Sequence, residues 1–356
     1  MAGSFQIPTE PIGSIPRTAA LRAGIALTDG ADPALQPLYD EAVRETIARF
    51  EDTGSPVVTD GEQRKYHNFW TYCVHGLANT APDGFKIPFA AGHVRRMPRL
   101  TAGPFRYGKY ADEYLDVALR YARRPVKQAV ISPSALSLMY PAEELPDYPR
   151  EQFMRDLLDE HVTEVRRCLD KGAHAVQIDF TEGRLAVKLD SSGALLQSFI
   201  ELNNLALARF SAEDRQRIGV HTCPGGDLDS THSADVDYAE LLPSLFRLQA
   251  GNFYVALAGE KEPERVLEII REHRQPHQRV FVGVVAPIDP RLESAELVRD
   301  RVLQAARYIP VEMLGTTDDC GFAPFCDDDS TSRDVAFAKI RARVDGTALA
   351  SEGLAR

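Results

Sequence analysis

The chain has 356 residues, 44% of them hydrophobic and 26% charged, enough for a large core and unlike a disordered chain. A net charge of −11 argues against a nucleic-acid partner, because phosphate binding wants a basic face. There is no apolar run long enough to span a membrane, no signal peptide, and only five cysteines, so a reducing cytoplasm is expected.

Phe5 to Arg17 reads as a first strand and its loop. Pro33 to Glu51 carries Leu35, Leu38, Ala42, Ile47 and Phe50 near helical spacing. Gly54-Ser55-Pro56 ends that helix, and Val57 to Asp60 reads as a short second strand. Residues 65–115 hold the only tryptophan, Trp70, and many Pro and Gly. They read as an insertion after strand 2, a hairpin with a lid over the site.

Regular alternation then resumes. Helices are predicted over Tyr110–Arg124, Arg150–Lys171, Ala194–Phe210, Tyr238–Leu248, Glu262–His273, Ser294–Tyr308 and Ser330–Val344. Gly172 stands where a helix cap is expected. Strands are predicted over Val126–Ser132, His174–Phe180, Arg217–His221, Asn252–Leu257, Val280–Val285 and Met313–Thr317. Strands alternating with helices predict a parallel α/β sheet, and eight of them predict a single (β/α)8 TIM barrel spanning residues 1–356.

Such barrels keep their reactive groups at the carboxyl ends of the strands. Here those ends carry Ile12-Gly13-Ser14, Asp60-Gly61-Glu62, Asp179 with Glu182-Gly183-Arg184, His221-Thr222-Cys223, and Asp318-Asp319-Cys320. Side chains alternate along a strand, so His221 and Cys223 point the same way. An imidazole and a thiolate side by side are good zinc ligands, and Cys320 offers a third. Glu62 and Asp179 have a plainer reading as partners of Arg64 and Arg184, which otherwise stand as substrate-binding candidates. His232 lies nine residues after Cys223 in the loop leaving the motif, and is a candidate catalytic acid. Tyr72 and Tyr140 are its alternates. Cys73, Cys168 and Cys326 read as ordinary thiols.

In these motifs, taken in order, the chain resembles the carboxyl-terminal catalytic barrel of cobalamin-independent methionine synthase. The run from His221 to Pro243 is most similar to the single-barrel branch that includes epoxyalkane:coenzyme M transferase. The resemblance implies a Zn2+ held by His221, Cys223 and Cys320 that binds a small thiol as thiolate for attack on an alkyl donor. It implies that the backbone at Ile12, Gly13 and Ser14 holds a carboxylate, and that Glu62 and Asp179 hold an amino group. Two positions depart from it. Ala256 stands where the synthases carry a fourth ligand, a glutamate, with Glu260 the nearest carboxylate. A residue near Ile288 stands where they carry a histidine. These departures favour a coenzyme M-like thiol and an epoxide. The alternative is methyl transfer to homocysteine, giving methionine, from a folate or a corrinoid-protein donor.

Overall fold

Six runs rich in Val and Ile pair in chain order into one parallel sheet. We label them β1 (Gln128–Ile131), β2 (Val176–Asp179), β3 (Ile218–Thr222), β4 (Asn252–Val255), β5 (Arg279–Val285) and β6 (Leu314–Asp318). All but Arg279 at the start of β5 are buried. That suits strands covered on both faces, which need no polar alternation. The computed structural model describes residues 5–28, 30–65 and 68–355. Residues 66 and 67, within the predicted insertion, lie outside the described residues, as do 1–4, 29 and 356.

The expected closed eight-stranded barrel needs correction. Among the described residues the ladder stops at six strands. The two predicted strands before β1 supply one bridge each, Thr9 to Thr316 and Val58 to Val126. Pro8, Pro11 and Pro16 remove donors from the first segment, and the second lies between Pro56 and Gly61. The segments still meet at the mouth of the sheet. Ile15 N–H donates to the Gly61 carbonyl at 3.0 Å. The Thr59 hydroxyl donates to the Gly13 carbonyl at 2.9 Å.

Helices cover the sheet much as periodicity predicted. Arg150–Asp170 buries Phe153, Leu157, Val165, Cys168 and Leu169. Its end is a Schellman cap. Gly172 sits at φ +89°, with bonds from Gly172 N to Leu169 O and from Ala173 N to Cys168 O, both 3.1 Å. The last helix runs Arg333–Leu354, ten residues beyond the predicted end. Short helices at Ala19–Leu27, Pro133–Ser137 and Glu182–Leu189 were not predicted. No described helix is long and apolar enough to cross a membrane.

The segment after the second strand position contains two small antiparallel pairs, 80–81 with 99–100 and 86–88 with 94–96. The second pair is tied to an unpredicted hairpin, Gly226–Thr231, directly after the His221–Cys223 motif. Buried Asp227 takes His93 Nε2 at 2.8 Å and Arg95 Nε at 2.6 Å. Ala90 N–H donates to the Thr231 carbonyl at 2.9 Å.

Candidate metal and thiol site

Parallel register sets Asp179 of β2 beside His221 of β3, and His221 beside Tyr254 of β4. His221 Nδ1 lies 3.3 Å from the Tyr254 carbonyl, the usual way a ligating imidazole is oriented. Its Nε2 is buried with no hydrogen-bond partner. Cys223 Sγ lies 3.2 Å from Cys320 Sγ. One donor atom from each of the three residues falls within 4.8 Å of the others. The Cys320 thiol is held well below its ordinary pKa by the Cys223 S–H bond and by His221, against the effect of burial. Cys223 is pushed up by the same bond and by burial. Two soft sulfurs and an orphaned buried imidazole nitrogen fit a zinc ion with one open position.

The turn after Cys223 is possible only with glycine. Gly225 has φ +72°, and a Cβ there would lie 1.8 Å from His232 Nε2. Ala256 packs on Cys223 and Cys320, so the place beside the two sulfurs is filled by a methyl group. Glu260 is not in the donor group. It lies 2.7 Å from Arg184 Nη1. Asp319, next to Cys320, is not a ligand either. Its carboxylate accepts the N–H groups of Leu257, Ala258 and Gly259 at 2.7, 2.8 and 2.7 Å, and so holds the loop after β4.

Beside Cys320 lies a cavity with about 500 Å³ of atom-free space, counted out to open solvent. Its lining brings together His221, Cys320, Glu62, Asp179, Ile12 and Ser14, six of the predicted residues. His232 lines it too. Burial, with Lys188 and Arg184 nearby, drops the His232 pKa to about 3. A neutral imidazole cannot supply the charged acid expected of it at pH 7. Asp179 is raised to about 6, by burial first and Glu62 second. Glu62 sits at φ +56°, an uncommon conformation for a residue with a side chain and one often kept at functional sites.

Four expectations are corrected. Arg64 turns away and donates to Asp40 at 2.5 Å and to Gln36. Lys65, the next residue, is the cation that reaches Glu62, at 3.0 Å and fully buried. Arg184 is committed to Glu260 and the Val236 carbonyl, outside this cavity. Gly13 is not in the cavity lining, to which its two neighbours belong. Tyr72 and Tyr140 spend their hydroxyls on Glu164 at 2.9 Å and the Tyr148 carbonyl at 2.7 Å. Aromatic lining from Phe69, Trp70, Phe89 and Phe325 was not predicted, although Trp70 stood out as the lone tryptophan.

Behind Asp179, Glu182 accepts from Ser132 and Ser134, and burial raises it to about 7. The native carboxyl keeps its proton up to about that pH, whereas an unperturbed one releases it near 4.5. Native protein therefore holds more protons in this window, and its stability falls as pH rises through it. Glu182→Gln lacks this titration. Its stability relative to wild type is expected to improve by on the order of 3 kcal/mol between pH 4 and pH 8. Denaturant titrations that stay parallel across that range would mean an ordinary pKa for Glu182.

The family described as the catalytic domain of cobalamin-independent synthase matches residues 7–338. A 5-methyltetrahydropteroyltriglutamate–homocysteine methyltransferase of Nitratidesulfovibrio vulgaris is 25% identical over 330 residues, covering 88% of this chain and 38% of that protein. The chain thus spans well under half of that relative's length. A methionine synthase of Sulfurisphaera tokodaii is 22% identical over 351 residues, covering 98% and 94%. The solved structure of a B12-independent methionine synthase from Shewanella sp. W3-18-1, in complex with selenomethionine, matches with TM-score 0.76 at 20% identity, covering 98% and 99%. At that identity the likeness speaks for the fold alone.

Proposed function

We propose, because the chain belongs to the family of cobalamin-independent synthase catalytic domains, that it methylates the sulfur of homocysteine or a closely similar amino-acid thiol. One observation carries this. Glu62 and Asp179 line the same cavity as His221 and Cys320. A ligand whose thiol reaches the sulfurs can therefore set an ammonium between two carboxylates. Ile12 and Ser14 line the cavity, and Ser14 would receive the ligand's carboxylate, since the Ile12 N–H is held by Asp318 at 3.2 Å.

His221, Cys223 and Cys320 would hold zinc, which when bound supplies a deprotonated sulfur nucleophile at neutral pH. The protein's own groups do the rest. Glu62, braced by Lys65, and Asp179, braced by Gln177 at 2.7 Å, orient the amino group. Phe69, Trp70, Phe89 and Phe325 exclude water from the sulfur. Residues 1–356 act as one catalytic unit, with 65–115 as its cover.

The coenzyme M and epoxide branch finds no support. A sulfonate has no use for two carboxylates and is repelled by them. Titration calorimetry of the zinc-loaded protein is the test. Homocysteine is expected to bind at least about tenfold more tightly than coenzyme M, the worth of one charge-assisted hydrogen bond. Tighter binding of coenzyme M would sink the amino-acid reading.

A further inference from the structure

Cys320 faces a second space, unused by the reaction as described so far. A cleft with about 1660 Å³ of atom-free space, counted out to open solvent, lies between the loops after β3, β4 and β5. Cys320 and Gly226 line both this cleft and the thiol cavity. Cys320, one member of the group with His221 and Cys223, therefore stands at the partition between two chambers.

The inner end of the cleft is apolar. Ala256, Pro287 and Ile288 line it. Ile288 lies close to the sulfur. A Cβ built on Gly226 would meet Ile288 Cδ1 at 3.4 Å and Cys320 Sγ at 3.7 Å. Among the described residues no histidine lines the cleft, and the one phenol that does, Tyr238, is only 1% exposed. His232 opens on the other chamber. Six acids (Asp235, Asp237, Glu260, Glu262, Asp289 and Asp319) face three cations (Lys261, Arg265 and Arg291). Arg184 and Lys188 pair with Glu260 and Asp235 from outside the lining, so the balance stays negative.

We propose that this cleft receives the alkyl donor, and that the donor is an onium ion, a sulfonium or a quaternary ammonium. The inference rests on the thiol-methylation reading and adds the class of its second substrate. A thiolate lone pair forms the new S–C bond. The bond from that carbon to the onium sulfur or nitrogen breaks, and its electron pair stays on the leaving atom. A neutral thioether or amine departs and no proton moves. An apolar wall suffices for this step, because no proton has to be supplied. A reduced-folate amine or an epoxide oxygen would leave as an anion and would need an acid. The negative balance of charge draws a cation in.

The test takes the zinc-loaded full chain with homocysteine and one donor at a time. The donors are trimethylsulfonium, tetramethylammonium, methylcobalamin and 5-methyltetrahydrofolate, and methionine is measured by mass spectrometry. Product is expected from an onium ion at more than ten times the rate from either other donor, and the two onium arms separate sulfonium from ammonium. Binding is read independently by calorimetry of trimethylsulfonium and tetramethylammonium. Ala258→Phe, which fills the cleft from its wall, is expected to weaken that binding at least tenfold with zinc content retained. Ile269→Trp repeats the block from the helix side should the first variant fail to fold. Methionine from methylcobalamin or 5-methyltetrahydrofolate, with none from either onium, overturns the inference. Onium binding that neither block weakens overturns it as well. A wild type that fails to bind homocysteine would sink the thiol-methylation reading instead.

Discussion

Cys320→Ser is expected to lose zinc, retaining less than about a tenth of the metal that the wild type keeps through dialysis. The site as built has three donors, and one of the two sulfurs belongs to Cys320. A serine hydroxyl at that place stays protonated and hard, whereas zinc binding draws on deprotonated soft ligands. Even losing an outer-shell partner costs roughly 10- to 100-fold in metal affinity, so losing a direct ligand costs at least the upper figure. The fold should survive. Cys320 lies at a strand-to-loop junction whose course is secured by Asp319, through its three backbone bonds. Elemental analysis of both proteins, with circular dichroism as the folding control, decides it. Equal zinc in the two would remove Cys320 from the site.

Glu62→Gln and Asp179→Asn are each expected to weaken homocysteine binding about ten- to a hundred-fold. A charge-assisted hydrogen bond is worth roughly 1.5–3 kcal/mol. Both acids are buried, so neither is replaced by solvent when its charge is removed. The two variants should differ in stability. Glu62→Gln leaves the Lys65 ammonium buried without its hydrogen-bonded anion, held by the Ala129 carbonyl at 3.0 Å and the Tyr72 ring at 4.5 Å. Asp179→Asn removes a carboxylate that burial and Glu62 already disfavour in its charged form. Glu62→Gln should therefore lower the melting temperature and Asp179→Asn should not, while both lose affinity. Unchanged thiol affinity in both variants would make the two acids structural.

The grouping of His221 with Cys223 was legible in the sequence because its logic is local. Two residues apart on a strand means one direction, whatever the strand packs against. The distant Cys320 was legible because parallel strands bring their carboxyl ends to one side. The choice of partners was not legible. Arg64 and Lys65 are adjacent cations near Glu62, and the chain folds so that one faces Asp40 and the other is fully buried against the acid. Nothing in their order says which. The Gly226–Thr231 hairpin was missed for a related reason. Its tight turn is made by Leu228 and Asp229 at φ +48° and +54°, not by the Asn-Gly pair that announces such turns.

By itself, then, the sequence determined the order of the parallel strands, the helices that cover them and the His221–Cys223–Cys320 group. These follow from side-chain periods along short stretches of chain, which burial on two faces leaves little freedom to alter. Tertiary structure alone decided how far the ladder runs at its edges, where Thr9 and Val58 contribute one bridge each. It decided that Asp227 ties the hairpin near residue 90 to the loop beyond the sulfurs. It also decided that Cys320 looks into two chambers and not one. The tie made by Asp227 depends on which buried charge finds which partner across more than a hundred residues. A buried charge is costly until it is paired, and the pairing is a property of the packed chain, not of any one segment.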